Sequence, residues 1–258
     1  MTAPVRTSVD GAIGRIILDR PEKLNAFTAE MLKLLEAACD TLESDPAVRV
    51  VIVESTSERA FCAGADISVG GALGPLGKWA QWARAGHRTM DRLARLRMPT
   101  IAAISGVAYG GGLEVALACD LRIASETARL ALPEVTIGTT PAWGGTARLP
   151  ALIGPARAKQ VIFSGRPVDA PTALAWGLVN EMVPAAQLAA RALELARQIA
   201  ENAPIAVQAA KQLVDAGGGE GLAAAIESLA SGFAAGTEDM KEGAAAFGQK
   251  RRPKYTGR

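Results

Sequence analysis

The feature that most constrains this fold is Val48 to Val53, a six-residue run in which Arg49 alone is not apolar. A strand without polar alternation reads as buried, as in a sheet covered on both faces. The surrounding pattern agrees. Arg15-Ile16-Ile17-Leu18 reads as a strand ending at Arg20-Pro21. Thr28 can cap a helix whose apolar positions, Met31, Leu34, Leu35, Ala38 and Leu42, fall at helical spacing, and Asp45-Pro46 ends it. Gly64 falls in a loop, Gly70 to Gly77 is a glycine-rich flexible stretch, and Lys78 to Leu96 is helical. Thr100 to Ile104 forms a further strand, followed by a glycine turn and a helix from about Gly112. Leu121 to Ala124 and the Leu130–Leu132 region add short strands. Such alternation of strands and helices implies an α/β core with parallel pairing.

After about residue 155 the pattern changes to alanine-rich helical segments: Ala189–Glu201, Ile205–Asp215, Leu222–Phe233 and Met240–Lys250. Gly217-Gly218-Gly219 separates two of them. These read as a helical region packed on the core or on a neighbouring subunit. The division expected is a core over residues 1–198 and a helical region over 199–258. No internal repeat stands out at a fixed period.

The formal charge is +2, from 28 basic and 26 acidic residues, and gives no support to a nucleic-acid partner. The one dense basic cluster is Lys250, Arg251, Arg252 and Lys254, which alone reads as a solvated tail. Cys39, Cys62 and Cys119 are odd in number and form no C-x-x-C pair, which argues against a disulfide framework or a zinc site and fits a reducing compartment. Met1 to Val9 carries no signal-like apolar core, and no stretch approaches the roughly 18 apolar residues of a membrane span. The expectation is a soluble cytoplasmic protein without a membrane partner.

The single histidine, His87, lies in an arginine-rich helix and reads as a surface or packing residue, so triad chemistry has little to stand on. No cluster of metal ligands is present, and the glycine-rich places do not fit a dinucleotide or phosphate-loop motif. The turn Tyr109-Gly110-Gly111-Gly112 opens a helix. Unpaired N–H groups at such a terminus carry partial positive charge, and a glycine there allows a ligand oxygen to come close. That suits a developing oxyanion. Glu114 follows in the first turn, either as an acid beside that spot or as a cap. Glu134, after Pro133 in the apolar segment Leu130–Ile137, is either an edge residue or a buried carboxyl with a raised pKa.

Taken together these motifs resemble the enoyl-CoA hydratase/isomerase (crotonase) superfamily. The resemblance rests on Arg20-Pro21 with Leu24-Asn25-Ala26, Ala63-Gly64-Ala65-Asp66-Ile67, Gly110-Gly111-Gly112-Leu113-Glu114, Pro133-Glu134 and Gly144-Gly145-Thr146-Ala147-Arg148-Leu149, with 134 − 114 = 20 between the acids. It implies a spiral of repeated ββα units with a helical C-terminal trimerisation region, as a homotrimer or dimer of trimers. It implies an enoyl-CoA hydratase in which Glu114 orients water and takes its proton while Glu134 protonates the α-carbon. The N–H groups of Ala65 and Gly111 would form the oxyanion hole. Lys23, Leu24, Asn25 and Ala26, and the segment from Ala63 through Asp66 to Ile67, would lie along the adenine and pantetheine of coenzyme A, with Tyr109, Pro133, Ala142 and Trp143 also at the substrate. Phe247 and Lys250 would reach coenzyme A on a neighbouring subunit. Coenzyme A is then part of the substrate, and neither a separate cofactor nor a metal is expected.

Two acids favour hydration, because isomerases of the superfamily generally need only one. The alternatives are isomerisation, another acyl-CoA lyase or hydrolase chemistry, or a non-catalytic paralogue binding coenzyme A or RNA. One departure concerns Ala142 and Trp143, where family members often carry glycine and a small residue. Alanine keeps the N–H that holds the water unless the backbone needs a positive φ. Trp143 either narrows the acyl pocket or packs outward. Trp79 and Trp82, three apart on a helix, share a face and read as core packing or as lining of the acyl end.

Overall fold

A computed structural model describes residues 3–66, 74–217 and 220–258. Ile67 and the glycine-rich residues 70–73 lie outside the described residues. The chain begins with a hairpin, β1 (Val5–Asp10) and β2 (Ile13–Leu18). Helix α1 (Ala29–Ser44) follows, capped by Thr28, whose hydroxyl accepts the Met31 N–H at 3.2 Å. Its buried stripe is Met31, Leu32, Leu35, Ala38, Cys39 and Leu42, with Leu34 at the margin.

The next strands come in pairs. β3 (Val50–Ser55) is followed by β4 (Ala60–Cys62), β5 (Thr100–Ile104) by β6 (Val107–Tyr109), and β7 (Leu121–Ser125) by β8 (Arg129–Ala131). The first member of each pair joins a six-stranded sheet ordered β1-β2-β3-β5-β7-β10, with β10 at Glu181–Val183. The second joins a four-stranded sheet ordered β4-β6-β8-β9, with β9 at Val168–Asp169. Within each pair series all contacts are parallel. Each pair leads to a helix: α2 (Arg84–Ala94), α3 (Gly111–Ala118) and α4 (Gly145–Ser164). This is the repeated ββα spiral.

The buried run in β3 is explained by two covers. Val51 and Val53 point into the main core, whereas Val50 and Ile52 point to the other face. There they meet Leu188, Ala192 and Ala196 of α6 (Leu188–Ala200), which follows the short α5 (Ala170–Trp176). Strands β5 and β7 divide in the same way, with Ala102, Ile104 and Ala124 on one side and Ile101, Ala103 and Ile123 on the other. Helix α6 thus runs across residue 198, ending at Ala200, and α7 (Pro204–Ala216), α8 (Glu220–Ala235) and α9 (Glu238–Gly248) complete the chain. No helix among the described residues is long and apolar enough to cross a membrane.

The tryptophan pair departs from the sequence reading. Lys78–Ala83 is π-helical, so residues three apart no longer align as they do on an α-helix. Trp79 is 66% exposed, while Trp82 packs edge-on against Trp143. The basic tail is also tied down: Arg251 makes two hydrogen bonds to the Glu242 carboxylate on α9, at 2.6 and 2.8 Å. That pairing and the Lys254 N–H hold the Glu242 carboxyl at about 2.

Candidate active site

Three parallel strands of the small sheet end at one edge, and the site grows from their carboxyl ends. Cys62 of β4 pairs with Ala108 of β6, and Tyr109 of β6 with Ala131 of β8. Two or three residues beyond β4 come Gly64 and Ala65; two beyond β6 comes Gly111 and five beyond it Glu114; three beyond β8 comes Glu134. In-register parallel pairing therefore carries the two acids together despite their separation in sequence. The Gly110 N–H donates to Ala131 O at 2.9 Å and fastens the turn to β8. Gly110 adopts φ 52°, ψ −125°, a conformation costly for any residue with a side chain. The carboxyl of Glu134 lies against it, since a Cβ there would sit 3.0 Å from Glu134 Oε1.

The two carboxyls have different surroundings. Glu114 is 2% exposed, and its Oε1 accepts the Trp143 N–H at 2.7 Å and the Gly145 N–H at 2.9 Å. Burial pushes its pKa up, and the two N–H donors with nearby Arg148 oppose the rise. Glu134 Oε2 is buried with no protein partner among the described residues. Burial lifts the Glu134 pKa to about 7, and the charge of Glu114 adds to the rise. One acid is thus held by donors that favour its ionised form, and the other is left to carry a proton near neutrality.

Beside them lie two amides. Phe27 donates its N–H to Gly64 O at 2.7 Å and accepts from the Asp66 N–H at 2.9 Å. A residue bonded to both neighbours of Ala65 leaves Ala65's own N–H directed to the opposite side. Gly111 is the first residue of α3, so its N–H has no partner within the helix. The two segments adjoin: a Cβ on Gly64 would sit 3.5 Å from Gly111 N and 2.8 Å from Tyr109 O.

The loop containing Lys23, Leu24 and Ala26 is zipped to the same edge. The Ala63 N–H donates to Leu24 O at 2.9 Å, and Arg20 donates to both Ala26 O and Asp66 Oδ2 at 2.8 Å. Lys23 is exposed, while Leu24, Ala26, Ala63 and Asp66 are half-buried. Tyr109 and Pro133 flank the acids at half-buried positions. Ala142 is exposed and is not among the described non-glycine residues with positive φ, which are Leu24, Asn25 and Lys250. Its backbone therefore accommodates alanine without strain. Trp143 turns inward, at 2% exposure. Phe247 is 89% exposed on α9 and Lys250 follows it at the surface; neither has a hydrogen bond, ion pair or ring contact to these loops among the described residues.

The sequence sets Asn25 in the segment expected along coenzyme A and gives Arg148 no role; in the structure both are positioning residues. Buried Asn25 accepts the Arg20 N–H at 2.8 Å and donates from Nδ2 to Ser55 Oγ at 2.7 Å and Phe61 O at 3.0 Å. It fixes the loop before α1 to β4. Arg148 donates to Trp143 O at 3.1 Å and to Asp91 Oδ1 at 2.6 Å, holding the Glu114-binding loop against α2. Asn25 and Arg148 both stand in the motif segments, but their roles depend on partners distant in sequence.

Comparison with known proteins places this architecture. The family model for enoyl-CoA hydratase/isomerase matches residues 8–258, and the chain belongs to that family. It is 41% identical over 96% of its length to a probable mitochondrial enoyl-CoA hydratase 2 of Arabidopsis thaliana, covering 83% of that protein. It is 40% identical to the short-chain-enoyl-CoA hydratase of Clostridium acetobutylicum, covering 94% of each chain. Among solved structures, an enoyl-CoA hydratase from Bacillus anthracis superposes with a TM-score of 0.96 at 36% identity, covering 99% of this chain and 100% of that one.

Proposed function

We propose that this chain is an enoyl-CoA hydratase, adding water reversibly across the 2,3 double bond of a 2-enoyl-CoA thioester. The observation that carries the reading is the unequal pair of acids, Glu114 buried and held by two N–H donors, Glu134 half-buried with Oε2 unpartnered among the described residues and its pKa lifted to about 7. The hydratase names of relatives near 40% identity support it.

In this reading the thioester carbonyl accepts from the Ala65 and Gly111 N–H groups. Negative charge develops on that oxygen as the β-carbon is attacked, and one such donor is commonly worth about 2.7–4 kcal/mol. Ionised Glu114 takes a proton from water, whose oxygen bonds to the β-carbon. Protonated Glu134 gives its proton to the α-carbon. Proton transfer from Glu114 back to Glu134 restores the starting state. Coenzyme A belongs to the substrate, lying along Lys23, Leu24, Ala26, Ala63 and Asp66, and the reaction as written calls on no separate cofactor.

The reading extends to a homotrimer or dimer of trimers. Leu229, Phe233 and Phe247 expose apolar surface on α8 and α9, and a neighbouring subunit would cover it and bring Phe247 and Lys250 to coenzyme A. Three buried free thiols suit the cytoplasm. The test is loss of conjugated-thioester absorbance with short, medium, branched and aromatic 2-enoyl-CoAs. Turnover with at least one supports hydration. Migration of a 3-enoyl double bond without water addition would indicate isomerisation and overturn the assignment.

A further inference from the structure

We infer that the indole of Trp143 is the wall of the acyl pocket and sets the length of acyl group this protein hydrates, an inference that rests on the hydratase reading. The main chain of Trp143 is fixed at the reacting end by its N–H on Glu114 Oε1 at 2.7 Å. From there the side chain lies directly over Gly111, where a Cβ would overlap the six-membered ring. Its other edge reaches α2, where a Cβ on Gly86 would overlap Nε1. The ring is therefore wedged between two glycines that leave room for it.

Two further aromatics brace it. Phe27 meets the indole edge-on with centroids 6.1 Å apart, and Trp82 does so at 5.4 Å. At 2% exposure the ring is a packed element of the core and has little freedom to swing aside. An acyl group whose carbonyl sits at Gly111 and whose β-carbon sits at Glu114 has its remaining carbons directed at this wall. Ala142, beside Trp143, and the same α2 helix line a cavity of about 600 Å³ with Trp79, Ala83, Arg84 and His87. Removing the indole would open the reacting end towards that volume. A hydrophobic pocket discriminates by about 10–200-fold per misfitting methylene, so a rigid wall a few carbons from the carbonyl gives a steep length profile.

The experiment measures kcat/KM of the full chain with crotonyl-, 2-hexenoyl- and 2-decenoyl-CoA, for wild type, Trp143→Phe and Trp143→Ala. Wild type is expected to lose at least about tenfold from crotonyl to decenoyl, and Trp143→Ala to raise the decenoyl-to-crotonyl ratio at least about tenfold, with Trp143→Phe between them. Equal wild-type activity on all three, or an unchanged ratio in Trp143→Ala, overturns the inference. Should Trp143→Ala fail to fold, the wild-type and Trp143→Phe profiles still decide. Should wild type hydrate none of them, the hydratase reading fails separately. Calorimetry with butyryl- and decanoyl-CoA then reads the pocket alone, and tighter decanoyl binding sinks it.

Discussion

Gly145 donates its N–H to Glu114 Oε1 at 2.9 Å, and a Cβ at the same residue would lie 3.1 Å from that oxygen. Hydrogen bond and steric limit act on one atom, so the glycine both holds and locates the carboxylate. Gly145→Ala is expected to push Glu114 from its position by a few tenths of an ångström. Displacements near 1 Å can cost about 100-fold in rate, so kcat should fall about tenfold with KM changed less than about threefold. Steady-state kinetics with crotonyl-CoA check this; an unchanged kcat would show that Glu114 needs no such precision.

The pH dependence follows from the unequal acids. Hydration needs protonated Glu134, and the protonated fraction falls as pH rises through about 7. The kcat/KM for hydration should therefore decline about tenfold per unit above that point. Dehydration of the 3-hydroxyacyl-CoA starts from the same singly protonated pair, with the proton on Glu114, so its kcat/KM should fall through the same region. At the acid end, protonation of Glu114 above its ordinary carboxyl range should give a second limb. A forward kcat/KM that stays flat between about pH 7 and pH 9 would contradict the role of Glu134 as the proton donor.

Glu134 also links stability to pH. Its folded pKa, about 7, stands above the ordinary 4.5, so the folded state holds the proton longer than the unfolded chain. The contribution is fully present below 4.5 and is lost as pH rises through about 7. Glu134→Gln, neutral throughout, should gain stability relative to wild type across that window. Urea midpoints at about pH 4 and pH 8 test it. A midpoint difference between the two proteins that does not change with pH would mean the carboxyl is not held protonated by its surroundings.

Asn25 has a structural consequence. Its buried amide bonds to Arg20, Ser55 and Phe61, joining the loop before α1 to β4. Asn25→Ala leaves several buried groups unpaired, at about 1–3 kcal/mol for each such group, so a loss of about 2–4 kcal/mol is expected by chemical denaturation. A loss below about 0.5 kcal/mol, the range of ordinary surface substitutions, would show that water replaces the amide freely.

Long elements were readable because they carry their own pattern. Thr28 with its apolar stripe marked α1, and the nearly polar-free run at Val48–Val53 marked β3, which the structure sets at Val50–Ser55. The spiral repeat left no period because its turns differ in length. Its strands start at Val50, Thr100 and Leu121 in one sheet and at Ala60, Val107 and Arg129 in the other. Strands β4, β6 and β8 have three residues each, too few for alternation to show, yet they deliver the acids to one edge. The individual motifs around Glu114 and Glu134 were visible, but their meeting depends on strand register, which the sequence shows only through its likeness to a family. Trp143 pointed inward because Gly86 and Gly111 make space for it, a complementarity between positions far apart in the chain.

The most direct test of the paired-acid mechanism compares Glu114→Gln and Glu134→Gln with wild type for kcat of crotonyl-CoA hydration and for crotonyl-CoA binding. General acid–base groups contribute about 10²–10⁴-fold, and each variant should lose that much in kcat while binding the thioester with a Kd within about threefold of wild type. If either variant hydrates within about tenfold of wild type, the two carboxyls do not share the reaction as described.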